Sequence, residues 1–425
     1  MTDILDELHW RGLIAQSTDE QALRAALATG PVTYYCGFDP TAPSLHIGNL
    51  VQILTVRRLQ DAGNDPLALV GGATGLIGDP KMTGERTLND RDTVAGWVER
   101  IRTQIEPLLD FGGPHAARMV NNLDWTAELS ALDFLRDIGK HFRVGRMIAK
   151  ESVSARLNSD QGISFTEFSY QILQGMDFLE LHRRHGCVLQ TGGNDQWGNL
   201  TSGVDLIHRV EQTSVHAFTT PLITKADGTK FGKTESGTIW LDPEMTSPYA
   251  FFQFWMNADD RDVAGYLKVF SFRDREELAA LEQDVVERPS ARAAQRALAA
   301  DVTTLVHGKD ETERVVAASQ ALFGMGELRS LDERTLGAAL AEASAPRLES
   351  GEELPTYIEL FTEAGLVPSR SAARRAVGEG GAYVNNARLD PATDPDARPS
   401  RDDLLHGRWL VLRRGKRTVG GVEIA

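Results

Sequence analysis

Val32-Thr33-Tyr34-Tyr35-Cys36-Gly37-Phe38 runs directly into Asp39-Pro40-Thr41-Ala42-Pro43-Ser44-Leu45-His46-Ile47-Gly48-Asn49. The first seven residues are rich in β-branched and aromatic side chains, the mark of a strand. Two prolines punctuate the loop that follows. From about His46 to Ala62, Leu50, Ile53, Leu54 and Leu59 recur at helical spacing, with Gly63 as terminator. Leu67-Ala68-Leu69-Val70 then reads as a short strand, apolar on both faces, before a glycine-rich turn. Strand, helix and strand at this spacing make a βαβ unit, so the expected fold class is α/β with a parallel sheet.

Outward from that unit, residues 1–30 read as helical, with Leu5, Leu8, Leu13 and Ile14 followed by alanine-rich turns that stop at Gly30-Pro31. The stretch from about 90 to 180 is mainly helical. A second βα unit begins at Cys187-Val188-Leu189-Gln190 and passes through Thr191-Gly192-Gly193-Asn194-Asp195-Gln196 into a helix from Trp197. Residues from about 244 to 340 are helical throughout, and Glu, Ser, Gly and Pro then mark a linker. Beyond it come two short helices, strands at Ala382-Tyr383-Val384 and Trp409-Leu410-Val411-Leu412, and a turn at Asn385-Asn386. The expected organisation is an α/β domain over 1–225 with a helical insertion at about 90–185, an all-helical domain over 226–342, a linker over 343–354 and a small α+β domain over 355–425.

The 425 residues are 41% hydrophobic and 25% charged, the balance of a globular protein with material for two or three cores. No apolar run approaches the roughly 20 residues that span a bilayer. The acidic, amphipathic start lacks the basic end and apolar core of a secretory signal, which points to the cytoplasm. Two cysteines, Cys36 and Cys187, exclude a disulfide framework or a four-cysteine zinc site. A net charge of −15 argues against nucleic-acid contact over the whole surface. Residues 355–425, however, hold 11 Lys/Arg against 9 Asp/Glu, so the tail alone does not repel phosphate.

Cys36–Asn49 lies where α/β sheets place ligands, outside the carboxyl end of a strand and at a helix start that offers free amides to phosphate. His46 can donate to phosphate oxygens there, and Gly48 leaves room for a nucleotide. Lys230-Phe231-Gly232-Lys233-Thr234 places two lysines around a glycine, suited as point charges to a polyphosphate leaving group. Each segment alone also fits an ordinary structure, an N-capping loop in the first case and a solvated turn in the second. Between Phe165 and about Arg183, Tyr170, Gln174 and Asp177 fall at i, i+4 and i+7, one face of a helix, among Leu173, Met176 and Phe178. A solvated face would favour Lys and Glu instead.

Together the two phosphate-suited segments resemble the signature motifs of class I aminoacyl-tRNA synthetases, His-Ile-Gly-His (ending here in Asn49) and Lys-Met-Ser-Lys-Ser (here Lys-Phe-Gly-Lys-Thr). Asn49 keeps a hydrogen-bonding amide but cannot become cationic, whereas both lysines are kept. Tyr35 to Thr41, Val70-Gly71-Gly72-Ala73-Thr74-Gly75-Leu76-Ile77-Gly78-Asp79-Pro80 and Gly192 to Asn199 are similar in order and spacing to bacterial tyrosyl-tRNA synthetases. That similarity extends over essentially the whole chain. It implies a Rossmann-like catalytic domain that activates L-tyrosine with ATP to tyrosyl-adenylate and transfers it to the 3′ end of tRNA(Tyr). By the same resemblance Tyr35 and Asp177 bind the phenolic hydroxyl, Asp79, Tyr170 and Gln174 hold the α-ammonium, and Gln190 lies close by. A buried pair built for a hydroxyl rejects phenylalanine by leaving its own polar groups unpaired, a rule of which tyrosyl enzymes are the standing example. ATP then falls to Cys36, Gly37, Asp39, Thr41, His46 and Asn49, with Gly193, Asp195 and Gln196 near the ribose and the reacting carboxylate. His46, Thr41, Asn49, Lys230, Lys233 and Thr234 are the implied catalytic set. Lys81 and Arg86 resemble pyrophosphate-binding residues displaced by one position. Magnesium is expected on the phosphates of ATP, with no protein metal site, and a homodimer is implied by the family alone.

In the tail, Arg370, Arg374 and Arg375 lie on a short helix beside the hairpin Gly380–Arg388. The stretch resembles a small RNA-binding domain shared with a ribosomal small-subunit protein, which makes these residues and Arg388 candidates for tRNA contact. Composition alone fits a solvated arginine helix equally. Arg143, Arg146 and Lys150 are expected to face tRNA as well. Three other readings stand beside this one: a tryptophanyl-tRNA synthetase, a smaller nucleotidyltransferase of the same superfamily, and a non-catalytic RNA-binding scaffold.

Overall fold

In the computed structural model, which describes residues 3–425 except 82–83, 85, 161, 227, 230, 235–236, 350, 352, 395 and 416–417, the opening strand lies inside a six-stranded sheet. The strands are β1 (Gln16–Ser17), β2 (Thr33–Phe38), β3 (Asp65–Val70), β4 (Arg118–Asn121), β5 (Cys187–Gly193) and β6 (His216–Thr220), in the order β1-β6-β5-β2-β3-β4. All neighbours are parallel except β1, which is antiparallel to β6. A parallel sheet covered on both faces needs apolar residues on both, and Tyr34, Tyr35, Cys36 and Phe38 of β2 are all buried. From β2 the chain crosses to β3 on one side, and only much later adds β5 on the other. The winding reverses between β2 and β5, and ligands of such sheets bind outside the strand ends at that point.

Three helices carry the site residues. α1 (Ile47–Asp61) begins with a capping box: the Gly48 N–H donates to His46 Nδ1 at 3.0 Å, and the His46 N–H to Asn49 Oδ1 at 3.1 Å. α2 (Phe165–His185) starts on Ser164, which accepts from the Glu167 N–H, and stops at Gly186 in the left-handed conformation. α3 (Trp197–Glu211) follows β5.

Over the first 225 residues the expected strands and helices are present, with three differences. Residues 1–30 are two helices, Ile4–Trp10 and Glu20–Thr29, because Gly12 turns the chain (φ 71°) and Gln16–Ser17 pairs with Phe218–Thr219. Strand β5 runs on to Gly193, so the two glycines belong to the strand end. Strands β4 and β6 were not legible as strands. No helix among the described residues is long and apolar enough to cross a membrane.

The chain divides into two compact units, Met1–Met245 with Asp259–Ala294, and Thr246–Ala258 with Gln295–Ala425. The second unit combines helices such as Pro248–Met256, Lys309–Leu322 and Glu333–Glu342 with a five-stranded sheet. Leu354, Ile358, Phe361, Val377, Leu410, Leu412 and Val422 are buried together beneath that sheet. Arg347–Leu348, in the stretch expected as linker, pairs in parallel with Glu423–Ile424. The helices and the sheet are tied directly: Asn386 donates to the Ala321 carbonyl at 2.6 Å and Arg413 to the Phe323 carbonyl at 2.8 Å.

Candidate active site

Close to β2, β3 and β5 lies a set of buried side chains, most of them cross-linked by hydrogen bonds. Tyr35, from β2, is 1% exposed, and its hydroxyl has no hydrogen-bond partner among the described residues. Its ring lies 5.3 Å from that of Phe178. Asp177, on the inner face of α2, accepts from Trp125 Nε1 and Asn122 Nδ2, both at 2.9 Å. Asn122 also donates to Thr74 Oγ1 at 2.9 Å and accepts from the Ala73 N–H at 2.7 Å. Thr74 and the Tyr170 hydroxyl each donate to Asp39, at 2.6 Å. Only glycine fits at position 71, where a Cβ would stand 2.0 Å from Asp39 Oδ1 and 2.3 Å from Thr74 Oγ1.

Removal from water controls the ionisation of this group. Burial pushes Asp177 up to about 7, against the opposing donors Asn122 and Trp125. Burial likewise raises Asp39, opposed by Thr74 and Tyr170. The hydroxyls of Tyr35 and Tyr170 rise well above the usual phenol value, through burial first and then through the charges of Asp177 and Asp39 respectively. Both tyrosines therefore stay neutral. The pocket offers an unpartnered phenol beside a carboxylate, a receptor for a hydroxyl that donates and accepts at once.

Toward the mouth, Asp79 collects three donors. Its Oδ1 accepts from Lys150 Nζ at 2.9 Å and Asn199 Nδ2 at 3.4 Å, and its Oδ2 from Gln196 Nε2 at 3.2 Å. Gln196 also donates to Asp195 at 3.2 Å. Gln174 and Gln190 each bury a side-chain carbonyl that no described residue satisfies, a sign of a pocket awaiting donors. The loop carrying Asp79 is held from below: Arg156 and Glu167, each 1% exposed, form an ion pair at 3.0 Å. Arg156 also donates to the Gly84 carbonyl, and Glu167 accepts from the Arg86 N–H at 3.2 Å. Arg86 donates back to the Asp79 carbonyl at 2.5 Å, while Lys81 is exposed. Lys150, expected to face RNA, instead turns inward onto Asp79; Arg146 is exposed and paired with Asp205 at 2.8 Å.

Where α1 begins, the two motif segments come together through backbone. The Ile47 N–H donates to the Ile239 carbonyl at 3.2 Å, Leu241 to Leu45 at 2.8 Å, and Ile239 to Gly232 at 3.0 Å. His46 and Trp240 form a bridge, with their rings 6.1 Å apart. Gly232, at φ 77°, lies against α1, where a Cβ would be 3.0 Å from Ile47 Cγ1. Lys233–Thr234 pairs with Gly237–Thr238 in a short hairpin. Lys230 lies outside the described residues. Gly37 and Thr41 are exposed, and Gly193 and Asp195 stand at the end of β5. Cys36 is sealed in the sheet, its thiol pushed up to about 12 by burial. Because His46 Nδ1 accepts from Gly48, the ring proton sits on Nε2, which becomes the donor. No group of three or more His, Cys, Asp or Glu among the described residues is placed to hold a metal.

Residues 27–324 match the tRNA synthetases class I (W and Y), and residues 339–419 match the tyrosine–tRNA ligase SYY-like C-terminal domain. The tyrosine–tRNA ligase of Streptomyces avermitilis is 70% identical over 425 residues, spanning 100% of this chain and 99% of that one. The chain belongs to the tyrosine–tRNA ligase family. The tyrosine–tRNA ligase of Streptomyces coelicolor is 68% identical over the same span. Among solved structures, a C-terminally truncated mitochondrial tyrosyl-tRNA synthetase from Aspergillus nidulans matches with a TM-score of 0.69 at 30% identity, over 76% of this chain and 94% of that one.

The part of this tyrosine–tRNA ligase family member that matches the C-terminal domain carries the four tail arginines. Arg370 and Arg374, on the helix Arg370–Gly378, pair with Glu359 at 3.1 Å and Asp396 at 3.3 Å. Arg375 is exposed on the same helix, and Arg388 donates to the Gly380 carbonyl at 2.7 Å. Sequence reasoning missed Asn122, Trp125, Thr74 and Asn199, which hold the predicted residues in place. The signal available for Asn122 was its position just beyond a strand end, but strand β4 itself was not visible.

Proposed function

We propose that the cleft carries out both steps of tyrosine–tRNA ligation. ATP and L-tyrosine form tyrosyl-adenylate and pyrophosphate, and the tyrosyl group then passes to the 3′ end of tRNA(Tyr) with release of AMP. The observation that carries this reading is the buried, unpartnered Tyr35 hydroxyl beside Asp177, in a member of this family. The substrate's phenol donates to Asp177 and accepts from Tyr35. Its α-ammonium is held by Asp79, Tyr170 and the open carbonyl of Gln174, with Gln190 alongside. A tryptophan indole offers one donor and no acceptor, so it satisfies only half of this receptor.

Activation needs no covalent intermediate on the enzyme. The tyrosine carboxylate attacks the α-phosphorus in line, and catalysis comes from positioning and from donors that strengthen as charge moves onto the phosphates. We assign that role to His46 through Nε2, with Thr41, Lys230, Lys233 and Thr234, and with Asn49 fixing the loop through its bond to the His46 N–H. Gly37, Asp39, Gly193, Asp195 and Gln196 line the nucleotide's path. Magnesium enters on the phosphates of ATP. Arg370, Arg374, Arg375 and Arg388 are proposed to contact tRNA, exchanging the first two residues' exposed ion pairs for phosphate at little expense. A homodimer is supported by exposed apolar side chains between residues 132 and 165, namely Leu132, Leu135, Val144, Ile148, Leu157 and Phe165. Two free, buried thiols fit a reducing cytoplasm.

The test is amino-acid-dependent ATP–pyrophosphate exchange with tyrosine, tryptophan and phenylalanine, followed by tRNA charging. Exchange with tyrosine alone is expected. Exchange driven by tryptophan would overturn the pocket assignment.

A further inference from the structure

Lys150 lies between two short helices, Val144–Ile148 and Glu151–Leu157, and its stem runs along the first turn of α3, beside Gly198. Its side chain is 10% exposed, and its ammonium bonds Asp79 Oδ1 and Asn199 Oδ1, both at 2.9 Å. A primary ammonium on a carboxylate and an amide carbonyl is the arrangement an α-amino group would seek. We propose that in the empty enzyme the Lys150 ammonium occupies the subsite of the substrate's α-ammonium, and that the zwitterionic amino acid inserts between Lys150 and Asp79. This rests on the reading above that Asp79 receives the amine.

Charge and valence both favour insertion over simple addition. A carboxylate accepts about four hydrogen bonds, and Lys150, Asn199 and Gln196 already fill three on Asp79. A second ammonium beside the first would leave one uncompensated positive charge in a part-buried site, which is costly. A zwitterion brings its own balance: its ammonium takes Asp79 and its carboxylate takes the released Lys150. Lys150 keeps a foothold on Asn199 while it turns, and the open carbonyl of Gln174 supplies a further acceptor for the incoming amine.

The consequence is selection for α-amino acids against either half of one. An amine without a carboxylate must expel Lys150 with nothing to pair it. A carboxylate without an amine finds Asp79 still engaged by Lys150, and gains only from the lysine. Lys150 is thus a specificity-determining residue on the substrate's backbone end, where Tyr35 and Asp177 act on its hydroxyl end.

Binding of L-tyrosine, tyramine and 3-(4-hydroxyphenyl)propanoate to the full-length enzyme without ATP, measured by calorimetry, tests the proposal. In Lys150→Met, tyramine is expected to bind about tenfold tighter, because its internal competitor is gone. The propanoate is expected to bind about tenfold weaker, because it loses a cation and faces a bare Asp79. Both half-molecules moving in the same direction, or neither moving, would overturn it. Lys150→Gln is read the same way should the methionine variant not fold. Asp79→Asn separates the two levels: it should weaken tyrosine and tyramine more than the propanoate. If it does not, the amine assignment falls and this inference with it. If it does, and Lys150→Met still fails to divide the two half-molecules, the inference falls alone.

Discussion

Deep in the site, Asp177, Asn122, Thr74, Asp39 and Tyr170 come from four separate stretches of chain and are locked by side-chain bonds of 2.6–2.9 Å, with Tyr35 buried among them. Where the two signature segments meet, the described contacts are main-chain ones: carbonyls and amides of residues 45–47 laced to residues 232–241. The first region sets its geometry before substrate arrives, and accepts raised ionisation constants to do so. The second is joined by main-chain hydrogen bonds, whose geometry depends on no single side chain. Recognition and catalysis are therefore expected to fail differently when each end is damaged.

Asp177→Ala should give the largest effect, a loss in kcat/KM for tyrosine of about 10³-fold, because it removes the hydroxyl's partner and strands two buried donors. Discrimination against phenylalanine should shrink with it, as read by pyrophosphate exchange. An equal rise in KM for ATP would break the contrast between the two ends. Next comes His46→Asn, which keeps an N-capping side chain but removes the Nε2 donor. It should lower kcat by about 10²-fold with little change in KM for tyrosine, and a matching shift in that KM would count against the division. Tyr35→Phe sharpens the comparison from the other side. Its hydroxyl has no partner among the described residues, so folding stability should hold or rise while tyrosine affinity falls about tenfold.

A pH series gives the finest test. Asp177 is raised in the folded state, to about 7, from an ordinary carboxylate value in the unfolded chain. A raised constant contributes stability that is present at low pH and lost as pH climbs from the unfolded value through the folded one. The stability of wild type relative to Asp177→Asn should therefore decline between about pH 4 and 7, by at most about 1.4 kcal/mol per unit. Urea unfolding at several pH values checks it, and a flat difference would show that Asp177 is not held against its ionisation.

The same two ends differed in how well the sequence exposed them. The i, i+4, i+7 stripe of Tyr170, Gln174 and Asp177 was visible because α2 is long and its polar residues interrupt an otherwise apolar face. Asn122 and Trp125 were hidden because β4 has only four residues, opens with a charge and is mostly half-exposed, so no alternation betrays it. Lys150 was misread as facing RNA: a lone lysine between two short helices has no periodic context, and only tertiary structure decides which way it turns. The hinge of the fold, the βαβ unit from β2 to β3, was legible because its strands are apolar on both faces and its helix has clear ends. The first thirty residues misled, since a glycine and a two-residue edge strand leave little trace in a helical pattern.

The position of β2 at the reversal of the sheet has a consequence for synthesis on the ribosome. As the nascent chain emerges, β2 meets β3 within a few dozen residues, but its other edge waits about 150 residues for β5. During that interval Tyr35 and its neighbours form an open, apolar strand edge, the kind of surface that invites wrong pairing or the attention of a chaperone. The buried pocket, rigid as it is once built, cannot close until α2 has been made, about 140 residues after Tyr35.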